Sequence, residues 1–159
     1  MSVTKAELDA LVDKSINDIC TNHFSSEQEN HCAHFVSHAL NIKLATLCGD
    51  LKWATRRTGA TVRCNELYNN LPQRGPWDQR PLAQSDGLLI FVISARDVVD
   101  NVMHPVPRKH VGIHFQGNIY NFSNGQHKVI VDSSVDAFHK KFKQAYHSND
   151  ISLYYGIAP

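Results

Sequence analysis

The stretch NHCAHFVSHAL, residues 30–40, places Cys32 at the start of an apolar run with helical spacing. Asn30 can cap this helix. A helix N-terminus presents a positive dipole end and unpaired N–H groups, which favour a thiolate and can hold a developing oxyanion. Cys32 is therefore a candidate nucleophile. The alternative is a small buried hydrophobe, which is how most free cysteines behave.

A nucleophilic cysteine needs a base, and the base needs a partner that fixes its ring. His110 opens a predicted strand, residues 110–115, and Asn121 lies on the predicted return strand, residues 119–123. Across this hairpin the two side chains can face each other, and an asparagine oxygen can accept from an imidazole. The pattern predicts a triad with Cys32, although four cysteines and ten histidines allow many other combinations.

The elements that must position these residues form two groups along the chain. Helices come first: a capping box at Thr4 and Glu7 starts a helix over residues 5–21. A continuous apolar run at 88–93 predicts a strand buried on both faces. The other predicted elements are helices from residue 30, over 62–70 and over 134–146, strands over 110–115, 119–123, 128–131 and 151–156, and irregular connections over 71–76 and 98–108. Helices followed by a mostly antiparallel sheet indicate one α+β domain over residues 1–159.

Composition excludes several classes of function. The formal net charge is +1, so nothing points to nucleic acid or an anionic membrane as partner. No apolar run is long enough to span a bilayer, so we expect no membrane insertion. The N-terminus lacks the layout of a cleaved signal peptide. We therefore expect a protein made in the cytoplasm which, if it acts outside the cell, leaves by a route that needs no cleaved signal.

The four cysteines form no CxxC pair, and without a secretory signal we expect four reduced thiols. A bridge between Cys48 and Cys64 is the alternative. Three histidines, His31, His34 and His38, follow the helical spacing i, i+3 and i+7 and can face a metal ion. Carboxylate or cysteine ligands at matching spacing are missing from the sequence. We therefore expect a polar or partly buried helix face here and no metal.

Three motifs, NHCAHFVSHAL, SDGLLIFV and KHVGIHFQGNIYNFSN, occur in this order. Together they resemble the papain-like peptidase and amidase superfamily that includes NlpC-type and CHAP domains, over about residues 28–125. The resemblance implies a papain-like fold in which N-terminal helices carry the nucleophile and pack on an antiparallel β-sheet. It also implies that Cys32 is the nucleophile, His110 the general base and acid, and Asn121 the residue that orients His110.

The chain departs from this family at three points. His31 stands where the cell-wall enzymes often have Asp, and Asp86 and Gly87 stand in the reverse of the family's order. The tyrosine often found upstream for the oxyanion site has no match. We therefore expect the Cys32 N–H to bind the oxyanion, with Gln28 or Asn30 as the side-chain donor.

Other residues are candidates for substrate contact. His114 shares a strand face with the predicted base and either flanks the site or packs in the core, which is the commoner role. Trp53, Arg56, Arg57 and Trp77 belong to a stretch that, in the resembled fold, builds one wall of the substrate cleft. The alternative is that the tryptophans anchor the core.

The resemblance implies thiol hydrolysis of an amide bond without a cofactor. It also implies a peptide substrate, in bacterial peptidoglycan cross-links or stems. A small single domain without wall-binding repeats resembles amidase toxins delivered between cells, which need a cognate immunity protein. The alternatives are a housekeeping hydrolase, a thiol acyltransferase or protein deamidase on the same fold, and a non-catalytic binding module.

Overall fold

The computed structural model describes residues 3–84 and 86–159. Ser85, the first residue of the motif SDGLLIFV, and the first two residues lie outside the described part. The helices are α1 (Lys5–Leu11), α2 (Ile16–Ile19), α3 (Cys32–Leu40), α4 (Cys64–Asn70) and α5 (Val135–Ala145). The strands are β1 (Arg74–Pro76), β2 (Leu88–Ser94), β3 (Val98–Val99), β4 (Val102–Met103), β5 (Lys109–Phe115), β6 (Asn118–Ser123), β7 (Lys128–Asp132) and β8 (Ile151–Gly156).

The main sheet has the strand order β1-β8-β2-β5-β6-β7, and each neighbouring pair is antiparallel. The short strands β3 and β4 form a separate hairpin. Helix α3 packs on β5 and β6, while α5 packs on β6, β7 and β8. Helices that precede and cover an antiparallel sheet make this an α+β fold, which confirms the predicted class.

The central strand β2 is buried along its whole length, as the apolar run predicted. Because side chains alternate across a strand, its residues divide between two apolar clusters. Leu89, Phe91 and Ile93 pack in the cluster that includes α3. Leu88 and Val92 pack in the other cluster, which includes Phe138 of α5. The sheet is therefore covered on both faces.

The predicted helix over residues 5–21 is wrong in its extent, because two short helices replace it. The capping box of Thr4 and Glu7 is present, but α1 ends at Leu11 and Asp13 adopts a left-handed conformation with φ of 69°. Ser15 then caps α2 with its own side chain. Asp and Ser side chains compete with helical hydrogen bonds in this way and break an otherwise continuous apolar pattern.

Two connections predicted to be irregular contain short strands. Residues 71–76 end in β1, which pairs with β8, and residues 98–108 include the β3–β4 hairpin. Pairs of two or three residues carry too little periodicity to be recognised from sequence.

The hairpin of β5 and β6 is paired from Phe115↔Asn118 to Gly112↔Asn121. His110 lies just beyond the end of this register. The N-terminus of α3 is fixed at the same end of the hairpin, where the His31 N–H donates to Asn124 Oδ1 at 3.1 Å. The first turn of α3 and the first residues of β5 are thereby brought together.

Gly112 allows the close approach of β5 and β6. A Cβ at this position would lie 2.7 Å from Ile119 Cγ2 and 3.1 Å from Asn121 Cβ. We expect Gly112→Ala to lower the free energy of unfolding by about 1–3 kcal/mol, because the strands must separate to relieve the overlap. Urea denaturation measures the change. The matched control is Gly125→Ala, whose Cβ would have only Ser123 Oγ near it, at 4.0 Å, and an equal loss of stability in both variants would contradict the packing explanation.

Candidate active site

The structure brings Cys32, His110 and Asn121 together. Cys32 is the first residue of α3 and is 1% exposed, and the His110 side chain lies close enough to its sulfur to lower the pKa of the Cys32 thiol. His110 Nε2 lies 2.9 Å from Asn121 Oδ1. Since Gly112 is directly opposite Asn121, His110 is its diagonal neighbour on the same face of the hairpin. A helix and a hairpin thus assemble a continuous sulfur–imidazole–amide series.

The orientation of the Asn121 amide is set by an acidic neighbour. Asn121 Nδ2 donates to Asp132 Oδ2 at 2.9 Å and to the Ile119 carbonyl at 3.2 Å. Asp132 Oδ2 also accepts from Lys141 Nζ at 2.6 Å, and a carboxylate in such an ion pair can only accept. The amide nitrogen must therefore face Asp132, and the amide oxygen must face His110.

This orientation fixes the tautomer of His110. The Asn121 oxygen can only accept, so His110 Nε2 carries a proton and donates it. The nitrogen left for the Cys32 sulfur is Nδ1. The ring is also held from one side by Phe142 of α5, which stacks on it at 4.6 Å between ring centroids and an angle of 27°. A buried imidazole held at its ring face and at Nε2 has little freedom to turn away from the sulfur.

The surroundings of Cys32 stabilise its thiolate. A hydrogen bond from the Cys64 thiol is the largest of the effects that hold the pKa of Cys32 well below its usual value. Burial acts in the opposite direction, while a hydrogen bond to His110, the positive charge of that imidazole and the Val111 N–H lower the pKa further. The same contact and burial raise the pKa of Cys64 well above its usual value, so Cys64 remains the protonated donor.

The Cys32 N–H and the Asn30 side chain, which were expected to donate to the oxyanion, are hydrogen-bonded to each other. The Cys32 N–H donates to Asn30 Oδ1 at 2.9 Å, and the same oxygen accepts from Asn124 Nδ2 at 3.0 Å. Asn30 Oδ1 therefore accepts the N–H of the first helical residue, whereas the N-cap of α3 is His31, so the prediction that Asn30 is the cap is wrong by one residue. The Cys32 N–H becomes available to an oxyanion only when the Asn30 side chain moves away. Gln28 is exposed, and its backbone N–H donates to Ser26 Oγ.

A polar cleft of about 230 Å³ opens beside the nucleophile. Its lining includes both sulfur-bearing residues of the site, Cys32 and Cys64, and residues from three sides: Glu29, Asn30, Val62, Arg63, Asn65, Pro105 and Lys109. Two cationic side chains, Arg63 and Lys109, and one carboxylate, Glu29, are among the lining residues. Such a lining suits a polar ligand with a carboxylate better than an apolar one.

The remaining candidates lie elsewhere. Trp53 is 78% exposed, carries the Arg56 guanidinium 3.6 Å from its ring centre, and is not among the described residues that line the cleft. Trp77 is buried in the cluster beneath α5 and meets His114 edge to face at 5.3 Å. His114 is four residues along β5 from His110, a separation of about 13 Å. Trp77 and His114 pack in the core, which was the alternative to substrate contact for each. Trp53 neither lines the cleft nor anchors the core.

Three residues of the site carried no recognisable signal in the sequence. Cys64 begins α4, Asp132 ends β7, and Tyr146 follows α5. Burial raises the pKa of Tyr146, and the charge of the nearby Cys32 sulfur raises it further. The fold brings each of these residues to the site, and no spacing along the chain indicates it.

A second group of polar side chains lies on the far side of α3. The metal-binding atoms of Cys20, His34, His38 and Cys48 all lie within 4.8 Å of one another. Two of the three histidines in the predicted stripe therefore have cysteine neighbours, which the spacing along the sequence did not reveal. All four cysteines are free, and Cys48 is next to Cys20 rather than Cys64.

Comparison with known proteins does not assign a family. The chain matches no protein-family model, and a search of curated proteins found no match. None of the described helices is long and apolar enough to cross a bilayer.

The lowered pKa of Cys32 leads to a prediction about its reactivity. A thiolate that persists at low pH should react with iodoacetamide well below the ordinary thiol pKa of about 8.5, with a rate that falls only in more acid solution. In His110→Ala, we expect the rising part of the pH–rate profile to move toward higher pH, because a hydrogen bond and a positive charge are lost. Peptide mapping of the alkylated Cys32 measures both profiles.

The control for this experiment is His114→Ala, on the same strand and face but distant from the sulfur, which should leave the profile unchanged. An ordinary thiol profile for Cys32 in the unmodified protein would contradict the stabilised thiolate.

Proposed function

We propose that this protein is a cysteine hydrolase of the papain-like, NlpC- and CHAP-like type that cleaves an amide bond. The observation that supports it most strongly is the connected series at the cleft. The Cys32 sulfur meets His110, and His110 Nε2 is held 2.9 Å from Asn121 Oδ1. The same three residues were expected from the resemblance of the sequence motifs to that superfamily.

Acylation follows from the positions of the two reacting groups. The Cys32 thiolate attacks the amide carbonyl carbon and forms a C–S bond, and the carbonyl oxygen becomes an oxyanion. Protonated His110 then gives its proton to the leaving nitrogen as the C–N bond breaks, which releases an amine and leaves a thioester. Asn121 keeps the imidazole in the orientation and tautomer that this transfer requires.

Deacylation uses the same groups in reverse roles. Neutral His110 takes a proton from water, the resulting hydroxide attacks the thioester carbonyl, and the C–S bond breaks to give a carboxylic acid and the Cys32 thiolate. The oxyanion of both steps needs N–H donors at the start of α3. On this route the Asn30 side chain gives up the Cys32 N–H when substrate binds.

The substrate class we propose is the peptide part of bacterial peptidoglycan, as the resemblance implies. Arg63 and Lys109 at the cleft are suited to the carboxylates of such an acidic peptide.

The proposal extends to delivery between cells by a route without a cleaved signal, with a cognate immunity protein in the producing cell.

Product analysis by mass spectrometry tests the proposal. Purified protein is incubated with peptidoglycan fragments and synthetic stem peptides, and we expect two products whose combined mass is that of the substrate plus water. Cys32→Ser should abolish product. His110→Ala should lower kcat/KM by roughly 10²–10⁴-fold, the usual contribution of a general acid and base. The matched control is Trp53→Ala, which is exposed and outside the cleft lining, and it should keep full activity.

The other candidate functions give different outcomes. A thiol acyltransferase joins the acyl group to an added amine, and a deamidase releases ammonia without cutting the chain. A binding module holds the fragments without any product, and Cys32→Ser then binds them equally well. Any of these three results would replace hydrolysis as the function.

A further inference from the structure

The group of two cysteines and two histidines behind α3 forms a compact set of possible metal ligands. We call it the His/Cys cluster: Cys20, His34, His38 and Cys48. Three separate segments contribute to it. Cys20 directly follows α2, His34 and His38 lie one turn apart on α3, and Cys48 begins the 3₁₀ turn Cys48–Leu51. The Cys32 site does not use any of the four side chains.

Three pairs of possible ligand atoms in the cluster have separations that fit a tetrahedral ion. Cys20 Sγ and Cys48 Sγ are 3.7 Å apart, Cys48 Sγ and His38 Nε2 are 3.7 Å apart, and the Nε2 atoms of His34 and His38 are 3.1 Å apart. Zinc bonds of about 2.3 Å to sulfur and about 2.05 Å to nitrogen place tetrahedral ligands about 3.8, 3.6 and 3.3 Å apart for these three kinds of pair. A disulfide instead requires about 2.05 Å between sulfurs.

Hydrogen bonds from His34 to His31, and from His31 to the Ser26 carbonyl, leave the lone pair of His34 Nε2 directed into the cluster. His31 Nε2 lies 2.7 Å from the Ser26 carbonyl, which can only accept, so this nitrogen donates. In a neutral His31 the other nitrogen, Nδ1, is then an acceptor for the His34 Nδ1–H, 3.0 Å away. His34 Nε2 is left with its lone pair directed at His38 and the two sulfurs. Metal-binding histidines are held by an outer hydrogen bond of this kind.

The Cys48 sulfur also has the surroundings of a metal-bound thiolate. Cys48 Sγ accepts from the Ala60 N–H at 3.3 Å and from Asn22 Nδ2 at 3.4 Å. Two N–H donors on this sulfur stabilise negative charge there, and a cation between the ligands would balance it.

The loop around Cys48 is folded closely onto this sulfur. Gly59 has a positive φ of 91°, and a Cβ there would lie 2.2 Å from Cys48 Sγ and 2.6 Å from Asn22 Nδ2. A side chain at this position would therefore displace both the sulfur and one of its donors. The backbone conformation and the space available both restrict residue 59 to glycine.

We propose that Cys20, His34, His38 and Cys48 bind one zinc ion in a closed structural site that holds α3 in place. Two thiolates and two imidazoles favour Zn²⁺ over Mg²⁺ or Ca²⁺, and four protein ligands leave no open position for catalysis. Because His34 is two residues from Cys32, the ion fixes the turn of α3 that follows the nucleophile. The site is independent of the chemistry proposed for Cys32.

Metal analysis of the reduced, purified protein tests this inference. We expect one equivalent of zinc per chain, removable by a strong chelator with a fall in Tm and restored by added Zn²⁺ with recovery of the Tm. His38→Gln and Cys48→Ser should lose the equivalent. Cys32→Ser and Cys64→Ser, which remove thiols outside the cluster, should keep it and serve as matched controls.

Replacement by cobalt keeps the test decisive if a ligand variant fails to fold. Unmodified protein loaded with Co²⁺ should show the intense visible bands of a tetrahedral site and sulfur-to-cobalt charge transfer. The inference is overturned if reduced protein takes up neither metal, if the cobalt spectrum lacks sulfur ligation, or if Cys32→Ser and Cys64→Ser lose zinc as the ligand variants do. Zinc binding without any hydrolysis would support the metal site and count against the proposed function alone.

Discussion

The position at which α3 begins is the constraint on which the rest of the site depends. This helix has nine residues, too few to be stable alone in water, so its place is set by what it contacts. At its first turn, Asn124 Oδ1 accepts from the His31 N–H, and the helix packs on β5 and β6. These contacts place a helix N-terminus at the end of the β5–β6 register, where His110 begins its strand.

A series of hydrogen bonds holds His110 in the orientation that the chemistry of Cys32 requires. It runs from Lys141 through Asp132 to Asn121, and from there through His110 to the Cys32 sulfur. The role of each atom along the series is fixed by the Asp132 carboxylate, which can only accept: Asn121 Nδ2 donates to it, so Asn121 Oδ1 accepts from His110 Nε2. Burying so many polar groups is costly unless all are paired, and paired they define one tautomer and one rotamer. The orientation of His110 beside the Cys32 sulfur is therefore set by Asn121 on β6 and Asp132 on β7.

The sequence was a good guide wherever the signal was local. The capping box at Thr4, the buried run of β2 and the β5–β6 hairpin are short patterns of caps, periodicity and turn residues, and the structure contains them. The helix over residues 5–21 failed because the left-handed Asp13 and the cap at Ser15 interrupt its apolar spacing. The same local patterns led to Cys32, His110 and Asn121 as candidates.

Pairs that are distant along the chain could not be found in this way. Cys64 reaches Cys32, and Cys48 reaches Cys20, only because loops of many residues fold back onto α2 and α3. Asn30 was expected to serve as a donor, whereas its oxygen accepts the Cys32 N–H, and this depends on a side-chain rotation that no spacing encodes. The fold, rather than any motif, decides which cysteine and which amide oxygen has which role.

Competition among the four cysteines for a limiting electrophile tests the central claim most directly. Reduced protein at about pH 6, well below the ordinary thiol pKa, is treated with less than one equivalent of iodoacetamide, and each cysteine is quantified by peptide mapping. The account predicts that the label is found on Cys32, while denatured protein under the same conditions shows no preference. Equal labelling of all four in the folded protein, or an unmodified Cys32 beside a labelled Cys64, would contradict it.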